Sequence, residues 1–208
     1  MSTVADQSKP ETTSTRGPGR PRAARTEAAI HEAVLNLLAD HGISGVSMEG
    51  VANEAGVAKT TIYRRWSDKR SLILDALKAM KAPLPQPPGN NVREDLLILM
   101  KRMRDEHNDS RAMRIFPKIF SEVDSDPELI RAFRREVMEP RRQPWRDILR
   151  RGIDEGTVDP DIDVWVAIEM LVSPIITCKV TREERYTDEE LCRVLDIVLT
   201  GIAPQTAR

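Results

Sequence analysis

The chain has 208 residues, 40% of them hydrophobic and 31% charged, with a formal net charge of -1. That length can bury a real core, as one large domain or two small ones, and the charge balance excludes a uniformly basic nucleic-acid coat while allowing a local basic patch. Aromatic residues are only 4%, so the core is expected to be aliphatic.

Residues 1–19 are rich in Ser, Thr, Pro and Gly with almost no apolar content, and read as a disordered arm. From Thr26 the pattern turns helical. Ile30, Ala33, Val34, Leu37 and Leu38 share one face, and Gly42 supplies the stop. Ser47 caps a short second helix with Met48, Val51, Ala52 and Ala55 inward, and Gly56 breaks it. A third short helix runs from Ala58 to Trp66. Ser67 or Asp68 caps a fourth that carries Leu72, Ile73, Ala76 and Leu77. The run from Pro83 to Asn91 holds four prolines and a Gly-Asn-Asn, which predicts a domain boundary. Charge changes sign there: residues 16–81 carry +4 and residues 82–208 carry -4. A basic module that faces a polyanion, beside a module with another job, fits that asymmetry.

Beyond the boundary a helix is expected over Val92–His107, with Leu96, Leu99, Met100 and Met103 on one side. Another covers Ser110–Val123 and bends at Pro117. Asp126-Pro127 opens a long helix, with Asp as cap and Pro in the first turn, that Pro140 and Pro144 must kink or split before Gly152 or Gly156 ends it. The last two helices run from Asp163 to about Arg182 and from Thr187 to Ile202, the latter opened by a Thr187–Glu190 capping box. No stretch shows strand-like alternation. The expected fold class is all-α: an N-terminal helix-turn-helix DNA-binding domain over residues 20–82, and a larger C-terminal helical domain for ligand binding and dimerisation over residues 92–208.

Function is concentrated in Gly42–Leu77. Two short helices joined by Ala55-Gly56-Val57 form a helix-turn-helix layout, because Gly56 can take positive φ and Ala52 and Ala55 allow close packing. With Val57, Ile62 and Trp66 inward, Lys59, Thr60, Tyr63 and Arg64 lie on the other face. Short polar and cationic groups near a helix start suit base edges, and Tyr and Arg suit phosphates.

The stretch Gly42-Ile43-Ser44-Gly45-Val46-Ser47 through Glu54-Ala55-Gly56-Val57-Ala58-Lys59-Thr60-Thr61-Ile62-Tyr63-Arg64-Arg65-Trp66-Ser67-Asp68-Lys69 resembles the TetR family of bacterial transcriptional repressors. Trp66 stands where Phe is commoner. The resemblance implies that Ser47 touches phosphate, that Lys59 and Thr60 face bases, and that Thr61, Tyr63 and Arg64 make phosphate or mixed contacts. It also implies that Lys69 clamps the DNA backbone at the start of the fourth helix, where free N–H groups favour an anion. Upstream, Arg16-Gly17-Pro18-Gly19-Arg20-Pro21-Arg22 carries a Gly-Arg-Pro core similar to an AT-hook, without the Arg before that Gly. Two readings stand for it: an arm whose arginines enter a narrow minor groove, or a basic tail that adds non-specific affinity. Arg20, Arg22 and Arg25 are the candidate contacts on this side.

In the larger domain, Met100, Met103, His107, Phe116, Phe120, Phe133, Met138, Trp145, Leu149 and Ile168 are the candidate walls of an apolar effector pocket, since Met and aromatic side chains adapt to irregular ligands. The apolar stripes of the last two helices are too broad for one-sided packing. By resemblance, Ile168, Val172, Ile175, Leu191, Val194, Leu195, Val198 and Ile202 form a four-helix dimer interface. Two-fold symmetry then sets the two recognition helices about 34–36 Å apart on a palindromic operator, and an unidentified small-molecule effector changes that spacing.

Other functions find little support. Asp159, Asp161 and Asp163 alternate as in a calcium loop, yet Val164 holds the required Gly position and Met170 the twelfth. His31, His41 and His107 have no metal-ligand spacing with Cys178 or Cys192, and no nucleophile-elbow or phosphate-loop motif occurs. The protein is expected to be no enzyme and to need no cofactor. No leader or membrane-length apolar run is present, which points to a cytoplasmic protein without a membrane partner. The expected function is a ligand-responsive dimeric repressor. The alternative is a DNA-binding regulator or architectural protein without a small-molecule effector.

Overall fold

The first helix starts six residues earlier than its apolar pattern: α1 spans Arg20–His41. Pro21 explains the difference, because its fixed φ suits a first helical turn and its missing N–H needs no partner there. Arg20 and Arg22 therefore lie on helical backbone, not on an extended arm. The computed structural model describes residues 20–81, 84–107, 110–122, 124–181 and 185–204. The expected arm of residues 1–19 lies outside them.

Gly42, at φ 70°, ends α1. Then follow α2 (Met48–Glu54), α3 (Lys59–Tyr63), α4 (Lys69–Met80), α5 (Val92–His107), α6 (Ser110–Phe120) and α7 (Pro127–Phe133). A π-helical segment (Arg134–Met138) joins α7 to α8 (Glu139–Asp154), and α9 (Val164–Thr181) and α10 (Asp188–Gly201) complete the chain. The described residues contain no strand. Asp126 caps α7 by accepting from the Leu129 N–H at 3.1 Å, with Pro127 in the first turn. Thr187 and Glu190 close the expected capping box on α10.

Pro140 and Pro144 do not split the long helix. The wider π turns lie just ahead of Pro140, which lacks the N–H that would bond the Glu136 carbonyl, so the backbone rearranges there instead of breaking.

Two apolar cores form. The first gathers Ile30, Val34, Leu38, Ile62, Leu72 and Leu77 from α1, α3 and α4, and is completed by Ile115 and Ile119 of α6 and Phe133 of α7. The second packs α5, α8, α9 and α10 around Leu96, Met100, Trp145, Leu149, Leu171 and Leu195. The Pro-rich linker thus divides the sequence but not the packing, since α6 and α7 fill the core of the N-terminal helices.

This arrangement bears on the expected dimer face. Ile168, Val172, Ile175, Leu191, Leu195 and Val198 are buried within the protomer, and Val194 and Ile202 pack half-buried against the same core. The reason is that α9 and α10 each meet α5, and they also meet one another, so the greater part of their apolar surface is used internally. The apolar side chains left outside are Trp165, Val166 and Met170 on α9 and Ile197 on α10.

Two devices fix α8 against its neighbours. Asp95 on α5 is wholly buried, and it accepts from Arg151 Nη2 at 2.5 Å and from the Gly89 N–H at 3.3 Å. One turn end holds Gly152, where an added Cβ would stand 2.6 Å from Val158 Cγ2 and 3.0 Å from Val92 Cγ2. Gly152→Ala is therefore expected to lower stability by about 1–3 kcal/mol through overpacking, measured as an earlier denaturant midpoint. An unchanged midpoint would show that α8 shifts freely.

Candidate nucleic-acid interface and effector cleft

The N-terminal interface is built from caps and one turn. The Ser47 hydroxyl accepts from the Gly50 N–H at 3.0 Å and so starts α2. Gly56, at φ 64°, turns the chain into α3. α3 is shorter than its sequence suggests and ends at Tyr63, with Arg64 at its C-cap. Beyond it Trp66 folds inward. The Trp66 indole donates to Asp75 Oδ2 at 3.0 Å, and His31 Nε2 lies 3.1 Å from the same oxygen, its ring edge-on to the indole at 5.9 Å. The Trp in place of the commoner Phe thus has a specific acceptor on α4.

With Ile62 fully buried, the opposite face of α3 is open. Ser47, Lys59, Thr60, Tyr63 and Arg64 are exposed, Tyr63 to 54%, and Thr61 is half-buried. The Lys59 ammonium pairs with Glu49 across the turn. Both groups are more than half exposed, so the pair is worth at most about 1 kcal/mol and leaves Lys59 able to reorient toward an incoming base or phosphate. Lys69 is half-buried, and its ammonium donates to the Ile43 carbonyl at 3.2 Å, which ties the start of α4 to the end of α1. Two ammonium protons remain for a phosphate. Arg25 is exposed on α1; the side chains of Arg20 and Arg22 lie outside the described residues.

Glu27, His31 and Asp75 bring one ligand atom each within 4.8 Å of one another, a grouping that metal-spacing rules miss because Asp75 lies far along the chain from the other two. Its atoms are already engaged: Asp75 by Trp66 and His31, and Glu27 by Arg65 Nη1 at 2.7 Å. It serves to lock Trp66 between α1 and α4.

In the C-terminal half an apolar cleft opens where the two cores meet. Met103, Phe116, Phe120, Phe133, Val137, Met138, Val172 and Ile176 line it, together with Trp145 and the cations Lys81, Arg141 and Arg142. Its free volume is about 70 Å³. Of the residues expected to wall a pocket, Met103, Phe116, Phe120, Phe133, Met138 and Trp145 come together here. Met100, Leu149 and Ile168 do not: they lie one layer deeper, filling the core between α5, α8 and α9. The His107 side chain lies outside the described residues. Sequence reasoning missed Lys81, Val137, Arg141, Arg142, Val172 and Ile176. Charged residues on an amphipathic helix give no signal of which one turns toward a cleft.

The cations cluster. Glu106 accepts from Arg141 Nη2 at 2.5 Å, and Lys81 Nζ and Arg102 Nη2 lie 3.7 Å and 3.2 Å from its oxygens. Burial pushes the Arg141 guanidinium below its ordinary value, with Glu106 opposing that shift and Arg102 adding to it. Lys81 also sits 4.5 Å from the centre of the Phe116 ring. Arg142 pairs with Glu169 and stacks 4.2 Å from the Trp165 ring.

α6 connects the two sites. Phe116 and Phe120 face the cleft, while Arg111 pairs with Glu32 at 2.7 Å and Arg114 pairs with Asp40, both on α1. Lys118 donates to the Ala39 and Asp40 carbonyls, each at 2.8 Å.

Two family models match this chain. One, described as bacterial regulatory proteins, tetR family, covers residues 30–76; the other, a Tetracyclin repressor-like C-terminal domain, covers residues 86–198. The DNA-binding transcriptional repressor TetR of Mycobacteroides abscessus is 29% identical over 189 residues, which is 90% of this chain and 98% of that protein. Among solved structures, the TetR family transcription regulator SCO0332 is 27% identical with a TM-score of 0.62, over 86% of this chain and all 100% of its own. The flavonoid-responsive regulator FrrA shares the fold at a TM-score of 0.70 and 20% identity, over 88% of this chain and 100% of its own. No described helix is long and apolar enough to cross a membrane.

Proposed function

Because the chain belongs to the TetR family of bacterial regulatory proteins, and so is a DNA-binding transcriptional regulator and no enzyme, we propose that it represses as a dimer on a palindromic operator and is released by a small apolar or amphipathic effector. The DNA-facing surface is the open side of α3 with Ser47 and Lys69, and the effector site is the cleft beside α6.

The observation that carries the effector half of this reading is α6 itself, one rigid element whose one side lines the cleft and whose other side grips α1. Pockets for drug-sized ligands measure about 300–1,000 Å³, so a cleft of about 70 Å³ admits such a molecule only by widening. Widening displaces Phe116 and Phe120, hence α6, hence the α1 residues Glu32, Ala39 and Asp40 that α6 holds. Since α1 packs on α2 and α4, the recognition helices of the two protomers change spacing. A coupling of about 1–3 kcal/mol lowers operator affinity about 5–150-fold. The same narrowness favours one second reading, a regulator with no small-molecule effector. A molecule retained through purification, or an added one that changes DNA affinity, decides between them.

The test of the DNA-binding half is selection from random duplexes followed by substitution. Tyr63→Ala and Lys69→Ala are expected to weaken binding to all selected sequences alike, while Lys59→Ala or Thr60→Ala changes which sequence is preferred. Normal binding by both Tyr63→Ala and Lys69→Ala would show that the docking pose is wrong.

A further inference from the structure

The cleft has a chemical bias that an apolar pocket does not need. Three of its lining side chains are cations, and none is an acid. Two of the three, Lys81 and Arg141, meet the carboxylate of Glu106, which Arg102 also approaches. The side chains of Lys81, Glu106 and Arg141 are each mostly buried, so a charge-assisted contact made there is weakly screened by water. At the same wall, Trp145 is 0% exposed and its indole N–H has no hydrogen-bond partner among the described residues. A buried N–H left without a partner is destabilising, and a ligand oxygen would remove that cost. The rest of the lining is hydrocarbon, with the rings of Phe116, Phe120 and Phe133 together on one side. Lys81 and Arg141 also line a second cleft with Leu84, Pro140 and Pro144, so the cationic wall separates the apolar space from a wetter one.

We propose that the effector is an amphipathic carboxylate: a small molecule with an aromatic or aliphatic body in the cleft and one anionic head on Arg141 and Lys81, with the Trp145 indole N–H as an added donor. The inference rests on the cleft being the effector site. The head takes Arg141 from Glu106 in part. Charge-assisted pairs of guanidinium and carboxylate are the strong ones, whereas a neutral isostere of the same shape gains only the apolar contact.

The test uses the full chain with two probes of one shape, 2-naphthoate and the neutral 2-naphthylmethanol, in calorimetry at fixed ionic strength. The naphthoate is expected to bind at least about ten-fold more tightly. Arg141→Met is expected to abolish that difference by weakening the naphthoate. Glu106→Gln, which removes the competing carboxylate, is expected to strengthen naphthoate binding. Trp145→Phe keeps the ring volume close and removes the donor, and is expected to weaken the naphthoate several-fold. Equal affinity for the two probes, no binding of either, or an Arg141→Met chain that still prefers the anion would each overturn the proposal. The same titrations on operator-bound protein separate this inference from the functional reading. Selective naphthoate binding without DNA release would uphold the anion site and refute the effector role.

Discussion

A chain carrying both Met170→Asp and Ile197→Asp is expected to stay folded, to run as a monomer, and to lose about 10²–10⁴-fold in operator affinity. Met170 and Ile197 are 53% and 70% exposed, on the outer sides of α9 and α10, so neither supports the protomer core. Trp165 and Val166 are exposed beside Met170 on the same helix. Large apolar side chains gathered on one outer surface mark an interface. In a two-fold assembly each substitution appears twice, so the two changes place four carboxylates in an apolar contact. Each half-site then binds alone and the avidity of the pair is lost. Light scattering reads the mass, and a melting curve confirms the fold. A dimer that persists at micromolar concentration in the doubly substituted chain would place the interface elsewhere.

Arg151→Met is expected to lower stability by about 3–5 kcal/mol, because it leaves a wholly buried carboxylate without its cation. Asp95 then keeps only the Gly89 N–H at 3.3 Å. Against a total stability of about 5–15 kcal/mol the loss is large, and for a chain of this size it lowers Tm by roughly 6–20 °C. The Arg151 side chain is 30% exposed, which lets water reach its end of the pair and favours the lower part of that range. The double variant Asp95→Leu with Arg151→Met is expected to recover most of the loss, since an apolar pair of similar volume often replaces a buried ion pair at no net cost. A single variant that melts within 2 °C of the parent would show that the carboxylate finds another partner. The location is functionally neutral: Asp95 and Arg151 lie on α5 and α8, away from both α3 and the lining of the apolar cleft, so DNA affinity measured well below Tm is expected to hold.

Local chemistry made much of this protein legible before any coordinates. Gly42 and Gly56 mark chain reversals because positive φ is open to glycine at no steric cost. Ser47, Asp126 and the Thr187–Glu190 pair mark helix starts because their side chains satisfy N–H groups within three residues. The inward placing of Ile62 and Trp66 and the open placing of Lys59, Thr60 and Tyr63 also follow from spacing, since a short helix with one apolar side has one way to pack. The early start of α1 at Arg20 was missed because apolar periodicity begins only where the helix meets its core.

What the tertiary structure alone decided is which side of a nearly all-apolar helix faces in, and which distant side chains meet. On α9 and α10 apolar residues cover so much of the circumference that a period of 3.6 cannot choose between Ile168 and Met170, or between Leu195 and Ile197. The packing against α5 and α8 makes that choice and leaves Met170 and Ile197 outside. The cleft is likewise assembled from the end of α4, α5, α6, α7 with its π segment, α8 and α9, and its charge comes from Lys81, Arg141 and Arg142, whose like appear on every polar helix face. Caps and turns are interactions within a few residues, so the sequence states them directly. Burial and charge neighbourhood are sums over residues far apart in the chain, and they acquire values only when the helices are in place.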